Sequence, residues 1–138
     1  MVGGELGVRI LVGTDGTAQS QEVTDQQLHD LYAVPHEPWL RVNFVETADG
    51  AATGEGGKSG SINNAADKQV FDLLREQADV IVVGAGTARV EGYRPAAKPI
   101  VVVTSSGRVP ETLLGAPPGR VLVATHARSP RIAALRAE

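Results

Sequence analysis

Apolar and polar positions along this chain change period several times, and each change marks an element. Residues 39–46, Trp-Leu-Arg-Val-Asn-Phe-Val-Glu, alternate and predict a first core strand. The run ends at Thr47-Ala48-Asp49-Gly50, where Asp-Gly signals a tight turn. Asn64 is a good N-cap with Asp67 three residues on, and Ala66, Val70, Leu73, Leu74 and Gln77 trace one face of a helix reaching Gln77. A continuous run follows, Val80 to Val83, which suits a strand covered on both faces. Pro99–Thr104 and Arg120–Thr125 carry similar runs and predict a third and a fourth strand. Strand, helix, strand in this order favours a right-handed crossover, so the sheet is expected to be parallel.

The flanks are less regular. Thr24 before Asp25-Gln26-Gln27 resembles a capping box, and Leu28, Leu31 and Tyr32 at helical spacing predict a short helix ending before Pro35. Residues 1–21 are glycine-rich and polar around Val8–Val12, which reads either as an added strand or as an ordered leader. Residues 51–61 are glycine-rich with almost no large apolar side chain and predict a mobile loop. Ser129-Pro130 is a cap followed by a first-turn proline, opening a helix over 131–136. A parallel sheet that ends on a freshly opened crossover helix normally needs a further strand, so the chain is expected to be cut at its C-terminus.

Composition narrows the function classes. With 138 residues, of which 42% are apolar, the chain is long enough for a core of its own. Thirteen Lys and Arg against sixteen Asp and Glu give a net charge of −3, no footprint for nucleic acid or an anionic membrane, so an anionic ligand must be held locally. No cysteine is present, which excludes disulfides, thiolate catalysis and sulfur-ligated metal and fits a reducing cytoplasm. No segment approaches the roughly 18 apolar residues of a membrane span. His29, His36 and His126 are scattered without metal-ligand spacing, and no Gly-x-Ser-x-Gly elbow supports acyl transfer.

Candidate chemistry gathers at strand ends. In Asp79–Thr87 the β-branched run breaks at Gly84 and Gly86, which free the backbone N–H groups for close approach, and Thr87 is placed to cap the segment that follows and aim it at an anion. A packed turn with no ligand reads equally well. Gly54–Ser59 lacks the first glycine of a P-loop, since position 52 is Ala52, and Gly84-x-Gly86 lacks the third glycine of a dinucleotide fingerprint, since position 89 is Arg89. Thr104-Ser105-Ser106-Gly107-Arg108 offers hydroxyls, turn amides and a guanidinium suited to a phosphate monoester, or simply a solvated turn. Asp49 and Glu91 are the carboxylates beside the expected cleft, although Asp49 also serves the turn by itself.

Taken in order, Trp39–Phe44, Thr47–Gly50, Ser61–Asn64, Leu74–Asp79, Val83–Thr87 and Glu91 resemble the pyrimidine reductase domain of riboflavin biosynthesis, the C-terminal half of bifunctional deaminase-reductases. The resemblance covers about residues 37–125 and implies a dihydrofolate-reductase-like α/β fold: a three-layer sandwich with a mostly parallel central sheet, here incomplete at the C-terminus. It divides the chain into a leader with a short helix, 1–36, and the N-terminal portion of the reductase domain, 37–138. It implies NADPH-dependent reduction of 5-amino-6-(5-phosphoribosylamino)uracil, a small phosphoribosyl-pyrimidine, in a cytoplasmic protein that dimerises when full length. By matching position, Ser61, Gly84, Gly86, Thr87, Glu91, Thr104 and Ser105 meet the cofactor, while Ser59, Arg75 and Arg94 hold the phosphoribosyl group. Glu91 stands where the family more often has Asp, and Ser61 where it often has Trp. No proton donor is assigned, and the fragment alone is expected to bind NADPH weakly and to reduce nothing. The alternatives are a non-catalytic NADP-binding or regulatory module and a reductase of the same fold acting on a pterin-like substrate.

Overall fold

The computed structural model describes residues 7–12, 16 and 18–135. They fall into two compact units, one running to Leu74 and the other starting at Arg75.

In the first unit, β1 (Arg9–Val12) and β2 (Ala18–Glu22) form an antiparallel pair, with Arg9 opposite Glu22 and Ile10 opposite Gln21. Val8–Val12 therefore supplies a strand. Its partner gave no signal, because Ala-Gln-Ser-Gln-Glu lacks the β-branched and aromatic residues that mark a pleated surface. The helix α1 (Asp25–Leu31) opens on a complete capping box: the Gln27 amide donates to Thr24 Oγ1 at 3.3 Å, and the Thr24 amide donates to Gln27 Oε1 at 2.9 Å. Two first-turn donors are thereby satisfied, and Leu28 is the side chain that α1 buries. The helix α2 (Ala65–Gln77) begins as the pattern requires, with the Asp67 amide donating to Asn64 Oδ1 at 2.9 Å. Leu73 is buried on the expected face, and Gln69 Nε2 donates to Asp25 of α1 at 2.8 Å.

Residues 39–46 form no strand, contrary to the alternation. Leu40, Val42 and Phe44 are 82%, 77% and 67% exposed. Alternation reports that a segment suits a half-buried sheet position, but the strand exists only where a neighbour completes its ladder, and no described strand pairs with this one. Arg41 holds the segment instead. Its Nη2 donates to the Tyr32 carbonyl at 2.9 Å, and its guanidinium lies 5.6 Å from the centre of the Tyr32 ring.

The second unit is a mixed α/β arrangement, a three-stranded parallel sheet flanked by helices, consistent with the dihydrofolate-reductase-like fold. Strands β3 (Ile81–Gly84), β4 (Ile100–Val103) and β5 (Val121–Ala124) lie in that order and fully in register. All three expected strands from Val80 onward are thus present. The helix α3 (Ala85–Val90) leaves β3 with no intervening loop, and a one-turn helix α4 (Ile132–Leu135) follows β5. Val83, Ile100 and Val102 pack with Ala85, Ala88 and Leu113 into one core. Burying side chains such as Ile100, Val102 and Leu113 contributes roughly 1.5–3 kcal/mol each.

The opposite face of the sheet corrects the expectation that both faces are covered. Val82, Val103 and Leu122 are 58%, 48% and 47% exposed. A continuous apolar run signals that either face can be covered, but it carries no periodicity to say which one is. Among the described residues no helix is long and apolar enough to cross a membrane.

Candidate functional site

Register creates the site. Gly84 pairs with Val103 and Val103 with Ala124, so the chain leaves all three strands at one level and builds a rim from 85–87, 104–105 and 125. The Thr104 amide donates to the Ala124 carbonyl at 3.0 Å and carries the ladder one step beyond β4. Ligands of open parallel sheets lie beyond such carboxyl ends.

At this rim Gly84 is the N-cap of α3, with φ −68° and ψ 141°, and no side chain caps the helix. Thr87 sits inside the first turn, which corrects the expectation that it opens the helix. The backbone turns helical at Ala85, directly off the strand, leaving no room for a hydroxyl cap three residues later. First-turn amides at 85–87 consequently have no acceptor within the helix. Neither Gly84 nor Gly86 has a positive φ, and a side chain at Gly86 would meet nothing within 4 Å. The fold therefore does not itself require glycine at position 86. The Glu91 amide donates to the Thr87 carbonyl at 2.9 Å, which places Thr87 and Glu91 one turn apart on the same side of α3.

Past β4, Thr104 is buried and its Oγ1 lies 3.4 Å from Ser106 Oγ, which accepts from the Arg108 amide at 3.3 Å. Gly107, at φ 72°, needs its freedom to close this turn. Ser105 is exposed. Thr125 Oγ1 and Ser129 Oγ are both buried without a hydrogen-bond partner. Ser129 was expected to cap the last helix by its side chain; it does so only through its carbonyl, which accepts from the Ile132 amide at 3.1 Å.

Beside the same turn lies an open groove of about 910 Å³ that includes Arg89, Ser106, Arg108, Glu111, Thr112 and Arg131. Arg89 and Arg131 were not singled out from the sequence as ligand-binding residues. An arginine in the last turn of α3 reads as an ordinary partner of the helix dipole, and 42 positions separate it from Arg131 along the chain.

Among the residues expected at the phosphoribosyl group, Arg75 lies in the last turn of α2 with its guanidinium 5.4 Å from the centre of the Tyr93 ring. Arg94 follows Tyr93 directly and is exposed, so these two come from neighbouring positions in the second unit. Ser59 and Ser61 belong to the first unit, in a 3-10 turn. There the Glu55 amide donates to Ser61 Oγ at 3.0 Å, and a side chain at Gly54 would collide with that oxygen. The glycine-rich loop is thus closed on itself by hydrogen bonds, including the Gly54 amide to the Lys58 carbonyl at 2.8 Å.

Asp49 is a turn residue in the structure. The Thr47 hydroxyl donates to its carboxylate, the Gly50 amide donates to the Thr47 carbonyl at 2.9 Å, and Gly50 has φ 89°. The Thr47 hydroxyl first, and Asp49's own amide second, hold the carboxyl below its ordinary value. A lowered folded-state pKa stabilises above the ordinary carboxylate value, and the contribution is lost as pH falls through the folded-state value. Thr47→Val is expected to return the Asp49 pKa toward that ordinary value, as read by a carboxyl-carbon NMR titration. An unchanged titration would remove Thr47 as the cause.

The model of the RibD C-terminal domain family matches residues 38–136. The chain belongs to that family. No curated protein matches it. The RibD C-terminal domain is a reductase domain of the riboflavin pathway, acting on a pyrimidine, and its members generally bind NADPH. The family match spans both the 39–46 segment and the whole parallel sheet with its rim.

Proposed function

We propose that this chain works in the NADPH-dependent reduction of 5-amino-6-(5-phosphoribosylamino)uracil to its ribitylamino product. One observation carries the reading beyond family membership: three in-register strand ends set an open glycine turn and the Thr104-Ser105 turn at one end of a parallel sheet. Ligands of open parallel sheets lie beyond such strand ends, and there the first-turn amides at 85–87 have no acceptor within the helix.

In this reading Gly84, Gly86 and Thr87 offer backbone amides to the cofactor, Glu91 and the Thr104-Ser105 pair orient it, and Ser61 approaches its nicotinamide side. Ser59, Arg75 and Arg94 hold the phosphoribosyl group, with guanidiniums suited to phosphate oxygens. When bound, the nicotinamide supplies the hydride; C1′ of the ring-opened, imine form of the ribosylamine accepts it and the imine nitrogen gains a proton. The protein's own contribution is to hold donor and acceptor carbons in reacting geometry and to match the charge of the phosphates. Family resemblance also supports a cytoplasmic homodimer.

The test is a turnover assay on the protein expressed from its intact coding sequence, supplied with NADPH and the ribosylaminouracil. The ribitylamino product is expected, identified by mass, with NADPH consumed in equal amount. Tight NADPH binding without turnover would favour a regulatory module, and turnover of a pterin in preference to the uracil would reassign the substrate.

A further inference from the structure

The sequence holds two Asp-Gly pairs, Asp15-Gly16 and Asp49-Gly50, and no Asn-Gly. Such a pair carries its own reaction. The glycine amide nitrogen attacks the aspartyl Cγ, a C–N bond forms, the amide proton and the carboxyl hydroxyl leave as water, and a five-membered succinimide results. Water then opens the ring at either carbonyl. One opening restores aspartate, and the other gives isoaspartate, whose backbone runs through Cγ and is longer by a methylene group. Glycine is the fastest partner because no side chain shields its nitrogen.

At Asp49-Gly50 one residue holds both reacting groups. The Thr47 hydroxyl donates to the Asp49 carboxylate, and the Thr47 carbonyl accepts from the Gly50 amide at 2.9 Å. Ring closure needs the nitrogen released from that carbonyl and the carboxyl group turned toward Gly50, so it works against both bonds. The Thr47 hydroxyl also holds the carboxyl below its ordinary value, which keeps scarce the acid form that loses water most readily. Thr47 is itself fixed: its amide donates to the Ala51 carbonyl at 2.9 Å, and its Oγ1 accepts from the Ala51 amide at 3.0 Å. Asp49 and Gly50 are exposed, so the protection comes from hydrogen bonding and not from exclusion of water. At the other pair Gly13 stands two places before Asp15, and the sequence has no hydroxyl at that offset.

We propose that Asp49-Gly50 is a latent isoaspartate site and that Thr47 is the residue that keeps its ring from closing. An extra methylene between Thr47 and Ala51 does not fit the two bonds that join them, so conversion opens the turn. That turn ends the 39–46 segment inside the family match, 38–136, so the damage falls within the reductase domain.

The experiment ages the 138-residue chain and its Thr47→Val and Thr47→Ser variants in warm neutral buffer, beside a synthetic peptide of residues 44–55. After proteolysis the two isomers, equal in mass, are separated by chromatography and told apart by electron-transfer fragmentation. Asp49 in the folded chain is expected to isomerise at least about tenfold more slowly than in the peptide, and Thr47→Val to raise its rate roughly fivefold, the scale of one lost hydrogen bond. Thr47→Ser keeps the hydroxyl and should age as the parent does. Asp15-Gly16 is the internal reference, and its rate should be the same in all three chains. Circular dichroism checks folding, and the folded chain against the peptide decides by itself should Thr47→Val fail to fold. A folded chain that isomerises Asp49 as fast as the peptide would overturn the proposal. So would a folded Thr47→Val that ages as the parent does, or one that speeds both Asp-Gly pairs alike, which would mean a loosened fold.

Discussion

Ile100→Ala is expected to destabilise the second unit by about 2–5 kcal/mol. Ile100 is fully buried in the central strand β4, where it packs with Val102, Ala88 and Leu113. Its neighbours are held by strand ladders on both sides and by helix α3, so the walls of the cavity cannot collapse to fill it. A small domain has a total stability of only about 5–15 kcal/mol, so the loss should be plain in urea unfolding followed by circular dichroism. Leu122→Ala on the other face of the sheet is the control. Leu122 is 47% exposed, and its truncation should cost less than half as much. Equal losses from the two variants would mean that the exposed face is covered in solution.

Gly86→Ala is expected to move stability and cofactor affinity in opposite directions. Position 86 lies in the first turn of α3, has no positive φ and offers open space to a methyl group, so alanine should stabilise the helix by about 0.5–1 kcal/mol. If the open backbone serves the cofactor, the same methyl should weaken NADPH binding by roughly tenfold, about 1.4 kcal/mol. Thermal unfolding and NADPH titration on one preparation read both quantities. A stabilised variant with undiminished NADPH affinity would show that the glycine serves no ligand.

What was legible in the sequence is what short-range chemistry controls. The capping box at Thr24, the cap at Asn64 and the face Ala66–Val70–Leu73 each rest on interactions spanning a few residues, so α1 and α2 appear where the pattern puts them. The runs ending at Gly84, Val103 and Ala124 likewise became strands, since each is too apolar for a solvated loop. Ordered motifs along 37–125 also gave the family, because several matches in sequence are far more specific than one glycine turn.

Other features were decided by partners distant along the chain. Whether 39–46 joins a sheet depends on a neighbouring ladder, which its own alternation cannot supply. Where α3 begins depends on how β3 delivers it, and that displaced Thr87 from the cap into the first turn. Which face of the sheet is buried depends on where α3 and the Leu113 turn dock, and identical β-branched residues on both faces conceal the answer.

The sequence by itself determined helices α1 and α2, the strands from residue 80 onward and the family, because caps, periodicity and motif order act over short stretches of chain. Only the tertiary structure brought Arg89, Arg108 and Arg131 to one groove and left one sheet face exposed. Both depend on how elements far apart in the sequence pack, which no local pattern encodes.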